Sequence, residues 1–599
     1  MIAVADDESI VPASELLADE INPLVSNFQS MYISSVSILT RKLSMYYKNN
    51  LLKYLLLITI TFIAINQHLL FANWRWDDTQ ILLHALNTST WDNFTNPDVW
   101  RKFSPNNLTP WLILSFEIDY FLFGLNPLGF YFHHLLSLII LSFLFVYLAI
   151  KLTKENTSGV IFLIIFLSGA PIYTLTEQLM TRHYIEGMIF CLLSIIFCLK
   201  YSDSKIYKYL VLSLIFYSFA AISKEIYVPL IGLLFLIYFY RGVLNYKIFF
   251  LHFIIGLVYA AWRFFMLPSV FGGYSTINSN GSNIEFDRYF SGYLKIPELI
   301  FGTYWIFPSI AIIFLTIFYF YKNPRNIIFG LLSLAFILLP LAPLIKYPGI
   351  KYPDRYLFAI WAFASLFLSI AIFNLFKLHK NYINKTILTI FLFLTLPLAA
   401  NESHKFRGYA ISMGNEFDIH AKFIKDKNQE INFYPSKLVL DSGWFITGLF
   451  DLKKKILGVE NKIKVINDEI YIKDVDSNFW IYNQECKCIE DKTHDLENVK
   501  KILTKSIFMD APLSVSLKIK RQPDQIEWIF GPYTEGAYEV LLPESNGAMQ
   551  FQKLGSLNIQ LDTKKDIGII VKYTDPTGWS TYSPSLKVGI FTPTVDWKR

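Results

Sequence analysis

The chain has 599 residues, 53% of them hydrophobic and 17% aromatic, with mean hydropathy +0.37 and net charge +6. Soluble domains carry fewer apolar and more charged side chains, so this composition excludes a soluble globular protein and implies a polytopic membrane protein. Four cysteines exclude a disulfide framework, and the sequence holds no internal repeat, low-complexity tract or nucleic-acid motif.

Residues 1–50 are acidic and mixed before Arg41, Lys42 and Lys48, so no cleavable signal peptide is expected there. Residues 15–38 read either as an amphipathic helix on the membrane surface or as a partly ordered tail. A hydrocarbon core needs roughly 20 apolar residues per helix. That rule places spans near 51–70, 130–150, 158–176, 184–200, 207–222, 226–240, 247–267, 297–320, 326–345, 356–376 and 384–400. The expectation is about eleven transmembrane helices within a domain at 51–401. Short basic loops at Lys151 and Lys154, Lys200 and Lys205, Arg241 and Lys247, and Lys377 and Lys380 mark one side as cytoplasmic. The loops 71–128 and 268–296 and everything after 401 then face outward. Residues 402–599 are charged and read as an extracytoplasmic α+β domain, β-rich toward its end, with helices at 415–430 and 494–506 and strands from 513 onward. Cys191 and Cys198 read as packing residues of one helix, while Cys486 and Cys488 are equally compatible with free thiols or a bridge.

The first span ends in Asn73-Trp-Arg-Trp-Asp-Asp-Thr-Gln80. Two adjacent carboxylates, Asp77 and Asp78, are costly at a membrane exit unless they sit at the interface or in a wet cavity. The same side carries basic residues at helix ends, among them Arg182, Lys224 and Arg355. Any one of them can be a snorkelling anchor. As a set, beside carboxylates, they suit an anionic headgroup: Arg holds phosphate bidentately and Lys presents a compact charge. Glu285, Asp287 and Arg288 lie in a glycine-containing loop that reads either as an active-site lid or as an ordinary solvated loop.

Several short motifs share an order and a side. They are Trp76-Asp-Asp78, Pro105 to Leu112, the run Phe116 to Phe130, Thr181-Arg-His183, Ser223-Lys-Glu-Ile-Tyr-Val-Pro229 and Pro353-Asp-Arg-Tyr-Leu357. Over residues 50–400 this set resembles the GT-C glycosyltransferases, in particular the protein O-mannosyltransferase-like, TMTC-like and bacterial polyprenyl-phosphate-sugar branches. The chain departs from the pattern at Ser137 and Leu141, in the displaced acidic residue Glu186, and in a C-terminal domain without tetratricopeptide repeats.

The resemblance implies a GT-C fold and an inverting transfer of a sugar from a polyprenyl-phosphate donor to a glycan, lipid-linked glycan or protein acceptor. The Ile, Lys, Asn, Phe and Tyr bias suggests an AT-rich bacterial genome and hence a bacterial inner membrane, and the basic loops put the site outside. Asp77 is the expected base; Asp78 is either the base or a ligand of Mg²⁺ or Mn²⁺, so metal use stays open. Arg355, Lys224 and Arg182 are the expected phosphate partners. Trp76 and His183 are the expected sugar or acceptor contacts, with aromatic belt packing and a structural histidine as the plainer readings. Two other functions fit many spans: an O-antigen polymerase or ligase acting on polyprenyl diphosphate glycans, and a lipid or polysaccharide transporter. The second would favour midplane charges and broken helices.

Overall fold

A computed structural model describes residues 53–105, 107–229, 232–234, 246–267, 296–310, 355–378, 382–442, 444–521, 524–543, 547–558, 566–589 and 591–599. Helix α1 (Lys53–Phe71) leads into four shorter helices, α2 (Asp78–Asn87), α3 (Thr90–Thr95), α4 (Pro97–Phe103) and α5 (Pro110–Phe123). Helix α6 (Pro127–Thr153) follows. Proline opens α4, α5 and α6, a position where its missing N–H leaves no intrahelical bond unmade. The Asn96 and Asn126 side chains accept from the N–H groups of Asp98 and Leu128 and fix two of these starts. Gly124, at φ +58° and ψ −132°, ends α5 in a positive-φ conformation that glycine adopts without a Cβ clash, before the chain enters α6.

Helices α7 (Asn156–Ser168) and α8 (Pro171–Glu177) form one apolar pair bent by 70°. The bend has an identifiable cause. Pro171 cannot continue the α7 ladder, and Gly169 leaves room for a ring. A methyl group on Gly169 would lie 2.1 Å from the Trp361 indole, whose Nε1 donates to the Phe166 carbonyl at 2.9 Å. The bend therefore satisfies a carbonyl at the broken end, and Glu177 at the end of α8 lies buried. Next come α9 (Arg182–Ser204), α10 (Tyr207–Ser223), α11 (Tyr246–Met266), α12 (Leu357–Leu378) and the long α13 (Tyr382–Asp426).

Among the described residues, α1, α6, Leu179–Ser204 and α11 are long and apolar enough to cross a membrane, and the bent pair makes a fifth. The expected count of eleven is thus only partly matched. The span near 326–345 falls outside the described residues and those near 226–240 and 297–320 fall partly outside them; residues 1–50 and the loop residues Glu285, Asp287 and Arg288 lie outside them too. The 158–176 stretch is broken rather than straight, for the reason given above. The 71–128 segment is helical rather than an open loop. Within it α5, at 14 residues, is about 21 Å long and too short to span.

After α13 the chain builds a four-stranded sheet in the order β2-β1-β3-β4, from β1 (Ile431–Tyr434), β2 (Ile463–Val465), β3 (Phe479–Asn483) and β4 (Cys488–Asp491). β1 runs parallel to β2 and β3, and β3 pairs antiparallel with β4. Helices α14 (Lys437–Asp441), α15 (Phe445–Leu457) and α16 (Leu496–Leu503) complete this unit. Cys486 and Cys488 are bonded to each other at the β3–β4 turn. The last stretch carries two antiparallel sheets, one from strands at 514–521, 524–531, 554–558 and 594–598 and the other chiefly from strands at 537–542, 547–551, 567–574 and 580–582. Val515, Leu517 and Trp528 of one sheet pack with Val540, Val571 and Tyr573 of the other, so inward positions alternate with outward ones.

The C-terminal unit rests on the 71–128 segment. Helix α15 runs alongside α2: Thr79 Oγ1 donates to the Phe445 carbonyl at 3.4 Å, and Lys455 Nζ donates to the Leu86 carbonyl at 2.9 Å. Both segments therefore occupy one face of the molecule, termed here the loop face. Cysteines introduced singly at the exposed positions Ser89 and Thr577 are expected to react from the same side of sealed vesicles. The native thiols stay silent in such labelling, since Cys191 and Cys198 are buried and the other two are bonded. Labelling from opposite sides would contradict this packing.

Candidate functional site

The turn between α1 and α2 separates the two adjacent carboxylates. Trp76 has φ +44°, a left-handed backbone that costs a non-glycine residue roughly 1–3 kcal/mol and persists only where the surroundings impose it. Its ring packs against Phe417 of α13 at 4.9 Å. Past this turn Asp78 is fully buried. Its Oδ2 accepts from the Arg75 N–H at 2.9 Å and its Oδ1 from the Met180 N–H at 3.1 Å, which tie the turn to the entry of α9. Burial pushes the Asp78 carboxyl up to about 7, with the Arg75 N–H bond opposing it and neighbouring Asp77 adding to it. Asp77 is only half-buried. Burial raises its pKa and the nearby Arg355 cation lowers it.

The turn is held by Arg75, itself almost fully enclosed. Its Nε and Nη2 donate to the two Asp418 oxygens at 3.0 and 2.6 Å, and its Nη1 donates to Glu177 Oε2 at 3.0 Å. Asp418 Oδ1 also accepts the Asn73 N–H at 2.8 Å, and Glu177 Oε1 lies 2.7 Å from His68 Nε2. Gly414 makes room for this fork, since a methyl there would sit 2.5 Å from Arg75 Nη1.

Beyond Asp77 lie the cations. Arg355 precedes α12 and stands over the Tyr356 ring at 5.4 Å; Lys224 follows α10 and stands over the Tyr184 ring at 5.3 Å. The two rings meet edge to face at 6.1 Å. Both cations act electrostatically on His183, whose Nδ1 is buried without a hydrogen-bond partner among the described residues. Lys224 Nζ also reaches Asn107 Oδ1 at 3.4 Å and Glu225 Oε2 at 3.5 Å. Glu225 Oε1 takes Arg263 Nη1 at 2.6 Å and the Leu108 N–H at 2.8 Å, which anchors Lys224 from its neighbouring residue. Four of the residues singled out in the sequence thus share one neighbourhood: Asp77, Arg355, Lys224 and His183.

Arg182 does not join them. Its guanidinium is enclosed between the Phe116 and Phe130 rings, pairs with Asp119 and donates to the Phe130 carbonyl at 2.7 Å. A guanidinium already committed to a buried carboxylate and a carbonyl is part of the scaffold and presents no free fork to a phosphate. Asp119 also holds His133 Nδ1 at 2.6 Å, and Glu186 collects Trp111 Nε1 at 2.7 Å, Ser115 Oγ at 3.0 Å and His133 Nε2 at 3.3 Å. Arg182 and Glu186, four apart on one helix, are a spacing readable in the sequence. No local signal marks Asp418 as a partner of Arg75.

Mg²⁺ or Mn²⁺ is commonly held by one or two carboxylates together with substrate phosphate oxygens; of the two aspartates, Asp78 has both oxygens engaged and Asp77 would be the one left to serve such an ion. Asp78 is enclosed with both oxygens on N–H groups, and Asp77 faces a cation. The cluster of Cys486, Cys488 and Glu490 offers no thiolate, because its sulfurs are bonded together. The neighbourhood sets two cations near one half-buried carboxylate. No protein-family model and no curated protein matches the chain.

Breaking one partner of a buried ion pair strands the other, at a cost of about 3 kcal/mol. Asp418→Asn and Arg75→Leu are each expected to lower the thermal midpoint in detergent markedly. Combining Arg75→Leu with Asp418→Leu is expected to cost no more than the worse single change. Silent single variants would remove Arg75 from its organising role.

Proposed function

We propose that this chain is an integral-membrane glycosyltransferase of GT-C type. In this reading it moves a sugar from a polyprenyl-phosphate donor to an extracytoplasmic glycan, lipid-linked glycan or protein acceptor at a bacterial inner membrane. The loop face is the outer face. The observation that carries the reading is the half-buried Asp77 carboxylate opposed by Arg355, with Lys224 and His183 alongside.

The chemistry follows from charge. An Asp77 oxygen takes the proton of the acceptor hydroxyl. The acceptor oxygen attacks the anomeric carbon, and the bond from that carbon to the phosphate oxygen breaks with its electron pair leaving on the phosphate. Arg355 and Lys224 hold that growing negative charge, a gain that is larger in the transition state than in the ground state. Attack from the face opposite the leaving group inverts the anomeric centre. Asp78 does not meet substrate; it holds the turn that presents Asp77. Among the described residues, the bent span α7–α8 favours a transporter. Against that reading stand the accessible acid and the paired cations at the loop face.

Transfer from synthetic polyprenyl-phosphate sugars by purified protein tests the proposal. Asp77→Asn is expected to lose on the order of 10²–10⁴ in turnover with donor binding retained. Full turnover in that variant would remove Asp77 as base. Arg355→Lys keeps the charge and loses the fork, so a lower kcat is expected. In Arg355→Gln the cation that lowers the Asp77 pKa is gone. The acid limb of residual kcat/KM against pH should therefore move to higher pH, since the base must be deprotonated. A limb that stays in place would separate Arg355 from Asp77.

A further inference from the structure

We propose that Trp444, contributed by the C-terminal unit, is a stacking platform for a pyranose ring of the substrate; this rests on the glycosyltransferase reading above. Helices α2 and α15 lie side by side and point the same way. Thr79 meets Phe445 at their starts, a methyl on Gly448 would touch Thr79, and Lys455 meets Leu86 at their far ends. The residues that immediately precede them therefore sit at the same end of the pair. Those residues are Asp77 before α2 and Trp444 before α15.

Trp444 is 57% exposed, whereas its neighbour Phe445 is completely buried. Phe445 stacks edge-on against Phe417 at 4.8 Å, and Phe417 packs on Trp76 at 4.9 Å. The Trp444 backbone is fixed from both sides: its N–H donates to the Ser442 carbonyl at 2.6 Å, and its carbonyl accepts the Gly448 N–H at 2.9 Å. An open indole on a fixed backbone, at the same end of the helix pair as Asp77, offers a flat apolar face. The axial C–H face of a sugar needs such a surface, with its hydroxyls turned toward the acid. A rigid aromatic also loses little entropy on binding.

Trp91, 76% exposed, is the internal control. It lies past the C-terminal end of the ten-residue α2, a helix about 15 Å long that Asp77 precedes. Its helix is joined to α2 through Asn93 and His84.

The donor sugar and the acceptor sugar share this ring chemistry, and two arms separate them. One measures binding of farnesyl-phosphate mannose, glucose and galactose against bare farnesyl phosphate. The other measures binding of the methyl glycosides and homodisaccharides of the same hexoses. Full-length wild type, Trp444→Ala, Trp444→Phe and Trp91→Ala are compared in each. We expect Trp444→Ala to weaken the preferred sugar ligand about 2- to 10-fold. Bare farnesyl phosphate should be unaffected, which also reports an intact fold. Trp444→Phe should retain most of the affinity, and Trp91→Ala all of it. Loss in the first arm assigns Trp444 to the donor sugar, and loss in the second to the acceptor. If wild type prefers sugar-bearing ligands and Trp444→Ala binds them equally well, the platform is refuted and the glycosyltransferase reading stands. Equal weakening of bare and sugar-bearing farnesyl phosphate makes Trp444 a lipid contact and overturns it too. Wild type that gains nothing from any sugar overturns both.

Discussion

One guanidinium organises the loop face. Arg75 sits one residue before the left-handed turn, donates twice to Asp418 from α13 and once to Glu177 from the end of the bent span. Three parts of the chain that share no local sequence are thereby fixed at a point: the exit of the first helix, the broken span and the base of the C-terminal unit. Arg suits this task because its planar fork satisfies two carboxylates at once, which an ammonium cannot do with the same geometry. Enclosure removes water as a competitor, so the pairing is decisive for position even where its net contribution to stability is modest.

The two neighbouring aspartates take different parts because the turn buries one and leaves the other partly exposed. Asp78 is spent on two N–H groups and binds the acid turn to α9. Asp77 is left half-buried and next to a cation. The inner polar group of Asp119, His133, Arg182 and Glu186 does for α5, α6 and α9 what Arg75 does for the outer parts. It holds helix entries together by charge where apolar packing gives no direction.

Legibility in the sequence followed locality. The acid pair, Lys224 and Arg355 stood out because each sits in a short run of distinctive residues at a helix end. The terminal strands were readable because most run five to eight residues with alternating burial, as in Ala537–Leu542. The parallel strands β1 and β2, of four and three residues, were too short to carry a period. Arg182 misled because a scaffold arginine and a ligand arginine look alike until their partners are known. The bend at Gly169 required knowing that a tryptophan 192 positions later would fill it — a tertiary fact beyond any window. Asp418 lies 343 positions from Arg75, and nothing near either residue announces the other.

That separation has a consequence in time. Ribosomes add about 5–20 residues per second, so Asp418 emerges roughly 20–70 s after Arg75. Glu177 comes earlier and shields the guanidinium only in part. Until the distal helix arrives, the left-handed turn at Trp76 lacks the Phe417 surface against which its ring rests, and α2 lacks α15. The membrane portion can therefore be inserted and packed while its acid turn is still unfinished. The order of synthesis itself keeps a nascent chain from presenting a completed loop face.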